Sequence, residues 1–167
     1  MRYLYVSLVF VMILSGALLC QSPDTKDWVV TTKGWGEVKV GQSAEDVNSI
    51  LGPPAHFGPP VGNVIFAVYA WNEVDFAFRA ETQRLWAICF HNPENRSAHK
   101  ASVFRMNEGV NWNSTDDDVI KAFGAPIKTI TTTYRRRLEY ETMLFLFNDH
   151  RMTGACITDG KGDFRLR

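Results

Sequence analysis

The sequence predicts an α+β fold: two tandem helix-plus-antiparallel-sheet units, with the helices packed on one sheet face. Three observations predict it. A block that opens and closes like a short helix occurs over residues 41–54 and again over residues 113–126. Each block is followed by alternating apolar runs separated by turns. A polar stretch, residues 92–100, lies between the two copies.

The chain opens on a different composition. Met1 and Arg2 make a short positive start, and residues 4–14 are apolar apart from Ser7. Ser15 and Ala17 supply small residues at a cleavage position. That layout predicts a secretory signal peptide over residues 1–20, followed by repeats over 21–98 and 99–167. A retained membrane anchor is the alternative. Cys20 at the end of this segment raises a second alternative, a lipid anchor, although Leu19 stands where a lipobox carries a small residue.

After the signal, residues 28–32 read as extended and Gly34-Trp35-Gly36 as a turn. The first helix block follows. Ser43 is a good N-cap because its side-chain oxygen can accept from a free N–H of the first turn. Asp46 places acid where the helix dipole favours it. Val47, Ile50 and Leu51 fall on one face, Gly52 suits the closing residue, and Pro54 prevents resumption. Thr115, Asp118, Val119, Ala122, Phe123, Gly124 and Pro126 repeat the same roles.

Strands follow each helix. Residues 64–71, 74–78 and 85–90 read as three in the first copy, and 127–134, 143–147 and 154–157 as three in the second. Residues 129–133 are rich in β-branched side chains, which favour strands. Residues 102–106 read as a further strand. Cys89 and Cys156 are the cysteines of the folded part. An oxidising compartment allows them to pair, but each sits inside an apolar run, which favours two separate buried thiols.

The pattern Gly-x-Ser/Thr-x-x-x-Val-x-x-x-hydrophobic-Gly-x-Pro fits residues 41–54, and fits 113–126 with Asn113 in place of the first Gly. It resembles the helix entry of the β-lactamase-inhibitory-protein-like fold, which also covers the SmpA/OmlA outer-membrane assembly lipoproteins. The resemblance implies a secreted tandem repeat whose sheet presents a partner-binding face. The inhibitor's disulfides within each half have no counterpart, because each half has one Cys. Its contact residues do not transfer, and inhibition of a β-lactamase does not follow from the fold.

Little in the sequence points to chemistry. His56, His91, His99 and His150 are not at metal-ligand spacing. Asp116-Asp117-Asp118 lacks the spacing of a calcium loop and is explained as the start of a helix. Lys+Arg and Asp+Glu are both 18, so no overall field gathers nucleic acid or an anionic membrane. The 11 Phe, 5 Trp and 5 Tyr exclude a disordered chain. Arg135-Arg136-Arg137 suits either an anionic partner or a solvated strand end or hairpin corner, and Glu139 and Glu141 nearby can neutralise it, which favours the strand end or corner.

The function expected is that of an exported, non-catalytic protein-binding module of inhibitor, immunity or envelope-assembly type. Its contacts would be Tyr69, Trp71, Trp86 and Tyr140 on an aromatic sheet face, with Arg136 at the rim. The alternative is a structural envelope lipoprotein anchored through Cys20. A third reading, a small-ligand carrier or enzyme, needs a pocket joining His56 or His91 to acids. No cofactor, metal or nucleic acid is expected.

Overall fold

Both helices begin and end where their local chemistry directs. The computed structural model describes residues 24–69, 74–92 and 104–160. Within these, helix α1 spans Ala44–Leu51 and α2 spans Asp116–Phe123. Ser43 accepts from the Asp46 N–H at 3.1 Å, and the Ser43 N–H donates to the Asp46 carboxylate at 3.2 Å. Thr115 and Asp118 make the same reciprocal capping box, at 3.2 and 2.9 Å. Gly52 and Gly124 both close their helices at φ 79°, a conformation that costs glycine little. Val47 and Leu51 of α1 and Val119 of α2 are buried.

Strands dominate the rest. β1 (Val30–Thr31), β2 (Gly34–Trp35) and β3 (Val38–Lys39) form a small three-stranded sheet. Gly34 and Trp35 are therefore strand, not turn. A Cβ on Gly34 would lie 2.1 Å from the Val38 carbonyl oxygen, so only glycine permits this close approach. The remaining strands are β4 (His56–Phe57), β5 (Val64–Val68), β6 (Val74–Arg79), β7 (Leu85–His91), β8 (Lys128–Thr131), β9 (Arg135–Glu139), β10 (Met143–Asn148) and β11 (Arg151–Thr158). They make one eight-stranded antiparallel sheet in the order β4-β5-β6-β7-β11-β10-β9-β8.

This architecture overturns the predicted α+β fold of two tandem helix-plus-sheet units. The protein is mostly β: strand makes up 45% and helix 13% of the described residues. The reason lies at the middle of the sheet. Strands β7 and β11 pair directly, from Gly154↔His91 to Thr158↔Ala87. An apolar strand left at an edge would expose a row of unpaired backbone groups. Here six of the seven β7 residues are buried. Pairing β7 with β11 removes both edges, and what would have been two sheets becomes one.

The sheet has two unlike faces. On one face Phe76, Ile88, Phe90, Leu138, Met143, Phe145 and Ile157 pack with Val47, Leu51 and Val119 of the helices and with Trp35 and Val38 of the small sheet. Trp35 meets Phe90 edge-on with ring centroids 5.7 Å apart. Residues 104–106, read as strand, contribute only isolated bridges, Met106 to Val30 and Arg105 to Asn111. The other face carries a smaller apolar cluster of Ala77, Trp86, Ala87, Cys89, Leu144 and Cys156.

Cys89 and Cys156 are directly opposite across β7 and β11, with Cα atoms 4.1 Å apart, and form a disulfide. The expectation of two separate thiols is corrected by this register, which a linear sequence does not display. The bridge joins positions 67 residues apart. Closing a loop of that size stabilises a fold by about 4 kcal/mol in the chain-entropy description. The double variant Cys89→Ser/Cys156→Ser is expected to lose stability on that scale in urea unfolding. An unchanged midpoint would rule out the covalent link. Independently, Thr115→Ala should cost about 1 kcal/mol by removing the α2 cap.

Candidate functional site

The edge strand β8 is built from residues that favour extended backbone. Ile127, Thr129, Ile130, Thr131, Thr132 and Thr133 are all β-branched. The strand pairs with β9 from Lys128↔Glu139 to Thr131↔Arg136. The Thr132 N–H donates to the Arg135 carbonyl at 2.8 Å, which closes the hairpin. Backbone groups alternate in direction along an antiparallel strand, so those of Thr131 and Thr129 point away from β9. β8 ends the sheet, and no described strand pairs with that side. All four of its residues are exposed.

Exposed apolar side chains gather at the ends of this sheet. Ile127 is 76% exposed, Ile130 39% and Tyr134 67%, all on the β8–β9 hairpin or beside it. Phe57 and Val61, the other large exposed apolar residues, lie at the opposite end beside β4. A groove of about 480 Å³ adjoins β8, lined in part by Ile130, Arg135, Arg137, Leu146 and Thr153.

The hairpin is pinned from the helix side. Arg136 of β9 reaches Asp116, the first residue of α2, and bonds its carboxylate. His150 Nδ1 lies 3.0 Å from the other carboxylate oxygen. The Asp116 side chain is only 1% exposed. Asp149 and His150 form the tight β10–β11 turn at φ 45° and 62°. The Asp149 N–H donates to the Tyr134 carbonyl at 3.0 Å, which ties that turn to the hairpin tip.

Charge explains the strength of this clamp. Burial pushes the Asp116 carboxyl up, but the hydrogen bonds and charges of His150 and Arg136 outweigh it and leave the group below its ordinary value. The hydrogen bond that His150 donates to the Asp116 carboxylate, and then the charge of that carboxylate, raise His150 above its usual range. Asp116 was expected only to open a helix; it also holds the edge hairpin. The run Arg135-Arg136-Arg137 forms the first end of strand β9. Its cations alternate between faces: Arg136 meets Asp116, and Arg137 Nε meets Glu139 at 2.8 Å.

The expected contact residues that lie among the described residues do not share one surface. Tyr69 is 2% exposed in the helix-side core, where its hydroxyl donates to Asn48 Oδ1 at 3.3 Å and burial pushes its pKa up to about 12. Tyr140 is half-buried beside the Phe123 and Phe145 rings. Its hydroxyl donates to the Gly124 carbonyl at 3.0 Å, and burial raises its pKa. Trp86 lies on the opposite face, 8% exposed, with the Arg79 guanidinium 5.7 Å from its ring. Trp71 and Cys20 lie outside the described residues. His91 is 2.8 Å from Asp75, and His56 is on the short strand β4. Among the described residues no three His, Cys, Asp or Glu side chains converge as a metal site. The open edge was missed: the run of β-branched residues after Pro126 signalled a strand, but not that the strand would end the sheet.

No protein-family model matches the chain, and no curated protein matches it significantly. Two solved structures show a slight likeness. One is an extracellular protein containing a SCP domain from Bacillus anthracis, 12% identical, with a TM-score of 0.48 over 72% of this chain and 44% of that one. The chain thus spans less than half of that protein's length. The other is a DUF4309 family protein from Bacillus subtilis, 14% identical, with a TM-score of 0.46 over 80% of this chain and 88% of that one. At these scores neither likeness carries over a fold or a function. No helix among the described residues is long and apolar enough to cross a membrane.

The clamp predicts a pH dependence. His150 is raised in the folded state, so its contribution is full below its unfolded value of about 6.5 and fades as pH rises through the folded pKa. Asp116 is lowered, so its contribution is present above 3.8 and is lost as pH falls through the folded pKa. A proton NMR titration of His150 should give a midpoint above 6.5, returning towards 6.5 in Asp116→Asn. The same midpoint in both proteins would exclude the pair. Arg136→Gln, which leaves the buried carboxylate with a partner exposed to solvent, should cost on the order of 2 kcal/mol in urea unfolding.

Proposed function

We propose that this chain is an exported, non-catalytic protein-binding module of inhibitor, immunity or envelope-assembly type, and that its partner docks at sheet edge β8. The observation that carries the reading is a strand exposed along its whole length, with free backbone groups and apolar neighbours at Ile127, Ile130 and Tyr134. Proteins blunt such edges unless something pairs with them, because an open edge recruits other strands. Here the hairpin is held in place by Arg136, Asp116 and His150, which keeps the edge presented in one geometry. A pre-ordered edge loses less freedom on binding than a mobile one.

Export is supported by the N-terminal pattern of residues 1–20 and by the Cys89–Cys156 bridge, since disulfides persist in oxidising compartments. Tyr69, Trp86 and Tyr140, expected to bind through the sheet face, pack instead in the apolar clusters on its two sides, so the edge replaces the face in this reading.

A photoreactive amino acid at Ile130, compared with one at exposed Glu45 on α1, tests it. In cells that make the protein, the Ile130 probe is expected to trap a defined protein and the Glu45 probe is not. No adduct at Ile130, or the same adducts from both positions, would remove the reading.

A further inference from the structure

We propose that the partner presents an extended segment with an acidic-x-apolar-x-acidic alternation, which adds to the sheet as a strand beside β8. This rests on the edge-docking reading and names the chemistry that edge selects. Two sets of groups argue for it. The first is the backbone: Thr129 and Thr131 each offer an N–H and a carbonyl to the open side, two residues apart, which is the spacing an added strand meets. The second is the side chains on the face away from the helices. Directly opposite residues share a face, so Lys128 and Ile130 stand with Glu139 and Arg137 on that side. Arg135 follows two residues before Arg137 on the same side of its strand.

The charges on this side do not balance. Arg137 and Glu139 neutralise each other at 2.8 Å. Lys128 and Arg135 are both exposed and make no ion pair within the described residues. Asp116, the acid nearest to Arg136, is buried on the helix side and already holds Arg136 and His150. The edge therefore presents an apolar residue, Ile130, flanked by two cations left without partners. An incoming strand with an apolar side chain opposite Ile130 places its alternate residues opposite Lys128 and opposite Thr132, one strand from the long side chain of Arg135. Acidic side chains there complete two ion pairs.

A second copy of this chain fits less well. With Ile130 against its own copy, Lys128 would face Thr132 of the other molecule, one strand from that molecule's Arg135. Both edges would bring cations to the same seam. The observations favour an acidic strand over self-association.

The test uses the full folded protein and a capped synthetic peptide, Thr-Glu-Thr-Val-Thr-Glu-Thr, followed by amide chemical shifts. The expected result is saturable binding with shifts confined to residues 127–139. The same peptide with Lys in place of Glu should bind at least about tenfold more weakly. Thr131→Pro should abolish binding. It removes an N–H that faces solvent in the monomer, at an edge position where proline is tolerated. Lys128→Glu alters an exposed side chain and keeps the fold readable if the proline variant does not; it should reduce the preference for the acidic peptide about tenfold or more.

Equal binding of both peptides, binding elsewhere on the surface, or no binding at millimolar peptide would overturn the proposal. A concentration-dependent dimer lost in Thr131→Pro would assign the edge to a second copy, and would overturn it too. If the Ile130 probe still traps a protein while the acidic peptide fails, only the partner's chemistry is wrong. If both fail, the edge reading goes as well.

Discussion

Everything in this molecule is arranged around one pairing, that of β7 with β11. Their backbones join residues of the first half of the chain to residues of the second, and Cys89 and Cys156 lock the register covalently. On one side of this seam Ile88, Phe90, Ala155 and Ile157 are fully or nearly fully buried beneath the helices. On the other side lie the disulfide, Trp86 and Leu144. Without the seam each half would hold only a small apolar core, and a unit of that size is marginally stable by itself. With it, one sheet supports both.

Joining two sets of strands at their central edges has a consequence for the outer ones. Among the described strands, joining the middle leaves the two ends as the places where the ladder is open. β4 at one end has only two residues and so offers little to pair with. β8 at the other end has four, all exposed, and carries the apolar residues that the core does not take up. Edge strands are ordinarily covered, shortened or charged against unwanted pairing. β8 has Lys128 as its single charge, yet it is held firmly by its neighbours. The cost of that fixation is a buried carboxylate at Asp116, which Arg136 and His150 compensate.

Local signals in the chain read well. Ser43 with Asp46 and Thr115 with Asp118 marked both helix starts, because a capping box is a matter of residues three apart. Gly52 and Gly124 marked both ends for the same reason. The hairpin strands around Phe76 and Phe145 were legible from alternation. Binding residues were less legible. Tyr69, Trp86 and Tyr140 were singled out as surplus aromatics, but Tyr69 and Tyr140 fill the space between helices and sheet, and Trp86 lies under Arg79. An aromatic residue on a strand looks the same in sequence whichever face it takes. The extent of strand β9 was less legible because three adjacent arginines suggest solvent, and the positions of Asp116 and Glu139 are what make them compatible with a paired strand.

The amino-acid sequence alone determined where the helices begin and end, which runs are extended and where the chain turns, since each depends on contacts within a few residues. Only the tertiary structure decided that the strands form one sheet instead of two, that Cys89 meets Cys156, that Asp116 is buried with Arg136 and His150, and that β8 is left open. Those outcomes depend on which edges meet, and edges expose the same backbone groups whatever their side chains. Burial of the apolar strands β7 and β11 against each other, a choice between distant segments, is what selected among them.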